Sequence, residues 1–297
     1  MTAMTLRPRR RRWVYLPMAL LAVFFLFPIM FMLAASFKSD HQIFADMDSF
    51  RAFLPVGEVS FANYSAVFDR VPFWRFLGNT LFITFMVTAL GLVVNSMCGY
   101  ALARMRWKGR AVVFGFIIAT LILPFDTTIV PMVYLVANLP WIGFEGLRPV
   151  MEIGWLNTYH VQIVPFIVNA FSIFLFAQYF KSLPKGLEEA AAMDGAGWLH
   201  TYWRIIVPLS KPVFATVTIL TVVTSPATWN AYLWPLMTVQ SEELRPVMVG
   251  VQYFFQLDTS WGEVMAYISM ITIPMVAVFI AFQRAFIQSI ASAGMKD

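Results

Sequence analysis

The sequence predicts an all-α integral membrane protein with six transmembrane helices and both termini in the cytoplasm. Of its 297 residues, 60% are hydrophobic and only 12% are charged, whereas soluble proteins carry roughly 25% charged residues. Six apolar runs are long enough to cross about 30 Å of hydrocarbon as helices. Because lipid offers no partner to an unpaired backbone group, each run is expected to be helical. The runs are Trp13–Ala35, Phe76–Ala103, Ala111–Ala137, Tyr159–Phe180, Pro212–Val239 and Val264–Phe286.

The N-terminal part, residues 1–75, combines a basic tail, the first span and an outer loop. Its apolar run Trp13–Ala35 follows several arginines, as in a signal peptide, but no clear cleavage signature follows the run. Since the run is about 20 residues long, we interpret it as a retained span. The loop contains Phe61–Asp69 (FANYSAVFD), which is expected to form a short helix or turn. Residues 76–290 are predicted to form a core of five helices, and residues 291–297 a tail.

Basic residues orient these spans. With the N-terminus, the second and fourth connections and the C-terminus on one side, 15 of the 21 Lys and Arg residues lie on that side. Basic loops favour the cytoplasm, so this side is predicted to be cytoplasmic. The residues are Arg7, Arg9, Arg10, Arg11, Arg12, Arg104, Arg106, Lys108, Arg110, Lys181, Lys185, Arg204, Lys211, Arg284 and Lys296.

The sequence carries no catalytic or metal-binding motif. A phosphate-binding G-x-x-x-x-G-K-[ST] loop, an H-E-x-x-H pair and a Cys/His metal spacing are all absent. The chain is therefore expected to have no catalytic residue, metal or cofactor of its own, and six spans without such machinery indicate a conduit. An ion-coupled secondary transporter or a non-transporting membrane scaffold would also have this composition. A secondary transporter commonly needs ionisable residues inside its spans, and Asp126 is the only firm candidate.

One polar segment, Gly186–Pro212, interrupts the apolar runs on the predicted cytoplasmic side. Glu188 and Glu189 suit the first turn of a helix, where negative charge complements the helix dipole. Three alanines then favour helix and leave little side-chain bulk. Asp194 and Gly195 indicate its end, because glycine readily adopts the left-handed conformation of a helix C-cap. By these properties alone the segment is equally an ordinary amphipathic linker or a docking site for another protein.

The segment resembles the EAA signature of the inner-membrane permeases of binding-protein-dependent ABC importers, E-A-A-x3-G-x9-I-x-L-P. It matches at Glu189-Ala190-Ala191, Gly195, Ile205 and Pro208, and Val207 replaces the usual leucine. The resemblance implies a type I ABC importer permease fold, whose cytoplasmic coupling helix enters a cleft of a separate ATPase subunit. The residues it assigns to ATPase contact are Glu188, Glu189, Ala190, Ala191, Met193, Asp194 and Gly195.

Further stretches are similar to the carbohydrate-importer branch of that family, the MalG-like permeases of maltose-transporter type. They include GYALARMRWKGR, WNAYLWPL and SAGMKD, and the departures are Pro226, Ala231 and the ending Met295–Asp297. The resemblance implies a second, related permease as heterodimer partner, two ATP-binding subunits that hold ATP and Mg²⁺, and a periplasmic or lipid-tethered solute-binding protein. It also implies a location in lipid, in the bacterial cytoplasmic membrane, and no nucleic-acid partner.

Polar side chains within the spans are candidates for the translocation pathway. Carbohydrates are bound by hydrogen-bonding groups and flat aromatic faces, and the fifth run offers both within a few residues. The alternative is that these Ser and Thr hydroxyls bond their own helices and that Trp229 packs against a neighbour. The candidates are Asp126, Thr128, Asn169, Ser225, Thr228, Trp229, Asn230 and Tyr232, and Ser172 and Thr224 are further polar residues of the same runs.

Overall fold

The computed structural model describes residues 8–145, 148–256 and 259–294. The predicted tail residues Met295–Asp297 and Arg7 lie outside the described residues. The α-helices are α1 Pro8–Ala35, α2 Asp40–Ala45, α3 Ala62–Arg70, α4 Phe73–Ala103, α5 Arg110–Thr120, α6 Phe125–Asn138, α7 Tyr159–Ile163, α8 Ala170–Ser182, α9 Gly186–Met193, α10 Trp198–Thr201, α11 Val207–Leu209, α12 Lys211–Thr224, α13 Leu233–Thr238, α14 Val247–Gly250 and α15 Trp261–Gly294. Short 3-10 helices are Phe50–Phe53, Val164–Phe166, Glu242–Leu244 and Val251–Phe255, and a π-helix is Tyr202–Ile206.

The chain divides into two compact units. The first holds the N-terminal stretch up to Phe73 together with Gly250–Pro274, and the second holds Trp74–Val249 and the rest of the C-terminal helix. The N-terminal unit therefore includes a late segment in addition to most of the predicted residues 1–75. The predicted coupling residues and pathway residues all belong to the second unit.

Polar contacts hold the first unit together. Lys38 is only 1% exposed, and its ammonium group donates to an Asp46 carboxylate oxygen at 2.9 Å and to the Arg51 carbonyl at 2.6 Å. The Asp40 carboxylate accepts from the backbone N–H groups of Trp261 and Gly262 at 3.0 and 2.8 Å. It thereby pairs donors that the first turn of α15 leaves without helical partners. The FANYSAVFD stretch is confirmed as a helix, α3.

Three helices are long and apolar enough to span a membrane among the described residues: Tyr15–Ala35, Phe73–Ala103 and Tyr159–Ser182. Two bent pairs raise the number to five if each is one span: Arg110–Thr120 with Phe125–Asn138, and Trp198–Leu209 with Lys211–Thr224. The sixth predicted run falls within α15, Trp261–Gly294. The runs are thus mostly helical, and the number of six spans stays a prediction.

The third predicted span, Ala111–Ala137, is wrong as a continuous helix. It forms α5 and α6, which meet at an angle of 105°. Pro124 precedes α6 in an extended conformation, with ψ at 139°. Proline cannot donate a backbone hydrogen bond, and it disfavours helical geometry at the residue before it, so a break here has a local cause.

The fifth predicted span, Pro212–Val239, is also wrong as one helix. Helix α12 ends at Thr224, and the helix resumes only at Leu233. Ser225 is extended, with ψ at 137°, as expected for a residue that precedes a proline, here Pro226. The irregular stretch between these helices contains most of the predicted pathway residues of this run.

A two-stranded antiparallel sheet lies between α6 and α7, where the sequence predicted no strand. Strands β1 Pro140–Glu145 and β2 Arg148–Ile153 pair with Pro140 opposite Ile153 and Glu145 opposite Arg148. Each strand contains a proline, which argues against a sheet interior but is tolerated at an edge. Both strands of a two-stranded sheet are edges, so the prolines are compatible with this sheet. In the sequence alone the same prolines argue against strands, and the segment was therefore missed.

Close packing of α4 against α8 forms a core of the second unit. The buried cluster contains aromatic and aliphatic side chains from both helices, from the segment after α9 and from α12: Tyr100, Phe176, Phe180, Tyr202, Ile206, Val213 and Val217. A Cβ added to Gly99 would lie 2.6 Å from the Phe176 Cβ and 3.1 Å from the Ala177 nitrogen. Glycine is therefore required for the two helices to approach this closely.

Candidate coupling segment and translocation site

Helix α9 begins at Gly186 and carries Glu188 and Glu189 in its first turn. Its one buried residue is Ala191, whereas Glu189, Ala190 and Asp194 are exposed and Met193 is 84% exposed. An alanine-rich surface allows a partner to approach the backbone closely. This exposed surface, Glu189, Ala190, Ala192, Met193 and Asp194, is called the docking face below.

The end of α9 is a left-handed turn at Gly195. Gly195 has φ of +78°, as the sequence predicts. Its N–H donates to the Ala192 carbonyl at 3.0 Å, and the next N–H, of Ala196, donates to the Ala191 carbonyl at 2.9 Å. These two bonds are those of a Schellman motif, which pairs helix carbonyls that would otherwise have no partner. The turn therefore fixes the direction in which the chain leaves α9.

The segment after this turn, which contains Tyr202 and Ile206, packs against α4 and α8. Tyr202 and Ile206 are fully buried, whereas Trp198, which the sequence places on the same apolar face, is 52% exposed. The Tyr202 hydroxyl lies 2.6 Å from the Ser96 hydroxyl of α4. The Tyr202 ring packs against Tyr100, with ring centroids 5.3 Å apart. A displacement of this segment must therefore act on the second and fourth predicted spans.

A polar cavity of about 100 Å³ in the second unit brings some predicted pathway residues together. Asn169 and Ser225 both line it, although 56 residues of sequence separate them. Four further polar residues, Asn95, Ser172, Thr221 and Thr224, line it as well. Two of them, Asn95 and Thr221, are not among the polar residues singled out from the sequence.

Asn95 is the most informative of the missed residues. Its amide nitrogen donates to the Ile167 carbonyl at 2.9 Å, and its amide oxygen accepts from the Asn169 N–H at 2.9 Å. Both backbone groups lie in the break between the 3-10 helix Val164–Phe166 and α8, where regular helix hydrogen bonds are lost. One amide side chain thus braces the break. A lone Asn inside an apolar run was the available signal, because polar residues in spans are usually functional.

Asn169 is the N-cap of α8. Its amide oxygen accepts from the N–H of Ser172 at 2.8 Å and lies 3.0 Å from the Ser172 hydroxyl. The residue is nevertheless exposed and lines the cavity. Its carboxamide therefore combines a local structural bond with an accessible polar surface.

The other fifth-run candidates lie outside this cavity, in the irregular stretch after α12. The Thr228 hydroxyl lies 2.9 to 3.1 Å from the carbonyl oxygens of Thr221, Val222 and Ser225. The Asn230 amide donates to the Val223 carbonyl at 3.2 Å. Both side chains therefore pair carbonyls near the end of a helix. Trp229 is buried, and Tyr232 is 40% exposed.

The third-run candidates lie in the first turn of α6. Asp126 is exposed, at a helix start where its charge complements the dipole. The helix breaks just before Asp126, so this residue lies at a helix start and not in the middle of a continuous helix. Thr128 donates its hydroxyl to the Phe125 carbonyl at 2.8 Å.

The parts of the chain that the structure describes contain no group of three His, Cys, Asp or Glu side chains placed to hold a metal ion. The polar groups of the cavity are amides and hydroxyls. Such groups bind neutral hydroxyl-bearing molecules through hydrogen bonds.

Comparison with solved structures agrees with the fold. A chain of the crystal structure of a bacterial ABC transporter involved in the import of the acidic polysaccharide alginate matches with a TM-score of 0.74 and 26% identity, over 95% of this chain and 99% of that chain. A second crystal structure, of the bacterial alginate ABC transporter in complex with alginate pentasaccharide-bound periplasmic protein, matches with a TM-score of 0.56 at 16% identity. The second match is a likeness of fold alone.

Sequence comparison places the chain in a family. The arabinooligosaccharides transport system permease protein AraQ of Halalkalibacterium halodurans is 29% identical over 283 residues, 94% of each chain. The sn-glycerol-3-phosphate transport system permease protein UgpE of Escherichia coli is 31% identical over 228 residues, 76% of this chain and 75% of that protein. A family model matches residues 91–292, which include α9 and every residue that lines the cavity except Val87. The chain belongs to the family of binding-protein-dependent transport system inner membrane components.

Proposed function

We propose that this chain is the permease subunit of an ATP-driven ABC importer that moves a carbohydrate across the cytoplasmic membrane by alternating access. The observation that carries the proposal is the docking face. It is an exposed, alanine-rich helix surface, held by a Schellman turn at Gly195 and mounted on the predicted spans through Tyr202. A transport subunit that does not itself hydrolyse ATP needs a surface through which a separate ATPase can move its helices.

Two features support a carbohydrate as the cargo. The cavity at Asn169 and Ser225 is lined by amides, hydroxyls and apolar side chains without a formal charge, which suits the hydroxyl groups of a sugar. Relatives named for arabinooligosaccharides and for alginate import match over 94% or more of their own lengths. A sugar, an oligosaccharide or a glycerol-linked sugar derivative agrees with the chemistry of these groups; at about 100 Å³ the cavity supplies contacts to such a molecule and does not enclose it.

Charge placement supports the membrane topology. The basic loop between α4 and α5 and the basic residues around α9 belong on the same side as the N-terminal arginines. The rule for basic loops makes that side the cytoplasm, where a soluble ATPase is available to α9. Six spans follow if α5 and α6 cross as one span, α12 and the stretch after it cross as another, and α15 supplies the last.

The complex is completed by partner subunits. A second, related permease forms the other half of the pathway, two ATP-binding subunits hold ATP and Mg²⁺, and a periplasmic or lipid-tethered protein delivers the solute. The alginate transporter of similar fold forms a complex with a periplasmic protein that carries an alginate pentasaccharide, which supports the last of these partners. The present chain supplies no catalytic residue to this assembly.

Reconstitution tests this function. The chain is placed in proteoliposomes with its ATPase, partner permease and binding protein, and uptake of radiolabelled oligosaccharide is measured with ATP and with a non-hydrolysable analogue. We expect uptake only with ATP and binding protein. Uptake driven by a proton or sodium gradient without ATP would contradict the proposal and favour an ion-coupled transporter.

A further inference from the structure

Two charged side chains meet where α9 approaches the end of α4. Arg104 directly follows α4, and its side chain is only 5% exposed; Glu188 in the first turn of α9 is 21% exposed. The Arg104 guanidinium donates to the Leu183 carbonyl at 2.6 Å. Arg104 thus holds both the chain that leads into α9 and the first turn of α9 itself.

This ion pair lacks a hydrogen bond. The Arg104 Nε atom lies 3.7 Å from the Glu188 Oε2 atom, whereas charge-assisted hydrogen bonds are about 2.7–2.9 Å long. Arg104 Nε and Glu188 Oε1 are both buried and have no hydrogen-bond partner. Buried polar atoms are nearly always paired, so two unpaired atoms on facing residues require an explanation.

The two adjacent glutamates have different surroundings. Glu189 belongs to the docking face and is exposed, whereas Glu188 turns toward Arg104. Further along the segment, the Tyr202 hydroxyl already lies within 2.6 Å of Ser96 on α4. The contact that lacks a hydrogen bond, between Arg104 and Glu188, is therefore at the α9 end of this segment. An ATPase bound to the docking face would displace that end first.

We propose that Arg104 is a positioning residue that fastens α9 to the second span, and that its pair with Glu188 closes into a hydrogen bond when the ATPase presses on the docking face. This proposal rests on the proposed function. A movement of about 1 Å brings the two atoms within hydrogen-bond distance. Closure gives the unpaired Arg104 Nε atom an acceptor, the Glu188 carboxylate, so the closed arrangement is favoured once the helix has moved. The pair then transmits motion of α9 to α4.

The test is the amount of substrate imported per ATP hydrolysed in the reconstituted complex. Neither Arg104→Gln nor Glu188→Gln changes a residue of the docking face. Because the sequence assigns Glu188 to ATPase contact, co-purification of the ATPase is measured for both variants, and the ratio is compared between complexes with the same ATPase content. We expect each variant to lower the transport-to-hydrolysis ratio by at least about fivefold, the lower end of usual coupling between sites. Arg106→Gln is the matched control, because Arg106 is exposed two residues further along and should keep the wild-type ratio.

The double variant Arg104→Gln/Glu188→Gln separates a shared interaction from two independent ones. If the residues act as a pair, the double variant loses no more than the worse single variant. Losses that multiply, or single variants with the wild-type ratio, overturn the proposal. If Arg104→Gln fails to insert into the membrane, the Glu188→Gln variant alone tests the proposal, because Glu188 lies outside the predicted spans. A wild-type complex without ATP-driven uptake would instead contradict the proposed function.

Discussion

Replacing Gly195 with alanine tests the left-handed turn that ends the docking helix. Gly195 has φ of +78°, and a Cβ added there would have no heavy atom within 4 Å. The whole cost is therefore backbone strain, about 1–2 kcal/mol for an L-residue in this region. Such an energy lowers the ratio of the native turn to a distorted turn by a factor of about 5–30. We expect the affinity for the ATPase to fall by up to that factor.

Two matched variants isolate the cause. Gly197 also has open space where a Cβ would lie, but its φ is −71°, so Gly197→Ala should bind the ATPase as wild type does. Gly195→Asn should bind better than Gly195→Ala, because asparagine tolerates the left-handed conformation. The assay is a titration of the permease complex in nanodiscs with purified ATPase. Equal affinities for the two alanine variants, or an asparagine variant as weak as Gly195→Ala, would refute the reasoning.

Three further predictions concern the support of the site. Gly99→Val should lower the melting temperature of the purified protein, since overpacking costs about 1–3 kcal/mol, whereas Gly115→Ala, with no atom near its added Cβ, should not. Asn95→Leu leaves two backbone groups of the helix break unpaired, at about 1–3 kcal/mol each, and should lower both the melting temperature and substrate-stimulated ATP hydrolysis; unchanged values would exclude the brace. The hydrogen bond from Lys38 lowers the pKa of the Asp46 carboxyl, so its stabilisation is present above the ordinary aspartate pKa of about 3.9 and is lost as the pH falls through the lower folded-state pKa. Melting temperatures from pH 6 to 3 should therefore fall less steeply in Asp46→Asn, and identical profiles would contradict this.

Local signals predicted the docking helix well. Acidic residues at its start, alanines within it and Gly195 at its end all act over one or two helical turns, and the structure contains each feature at the expected place. The role of that helix in ATPase contact stays a prediction. The partner of Glu188 was beyond such reasoning, because Arg104 lies 84 residues earlier and meets it only through the packing of α4 against α8.

The continuity of the spans was predicted less well. Apolar composition alone extends the third and fifth runs across Pro124 and Pro226, although each proline disfavours helix at the residue before it. The breaks matter for the site. The end of α12 at Thr224 places Ser225 beside Asn169, and Thr228 and Asn230 pair carbonyls near that end. Asn95 was missed because its two partners are backbone groups, the Ile167 carbonyl and the Asn169 N–H. These groups need a side-chain partner only because the helix breaks before α8.

Cysteine cross-linking tests the central claim most directly, namely that α9 is the contact with the ATPase. Met193 is 84% exposed on the docking face, and Phe61, just before α3, is 72% exposed on the side predicted to face outward. In a background with Cys98 replaced by serine, we predict that Met193→Cys cross-links to the ATPase in membrane vesicles and that Phe61→Cys does not. Absence of a cross-link from Met193→Cys in a complex that hydrolyses ATP, or an equal yield from Phe61→Cys, would contradict the claim.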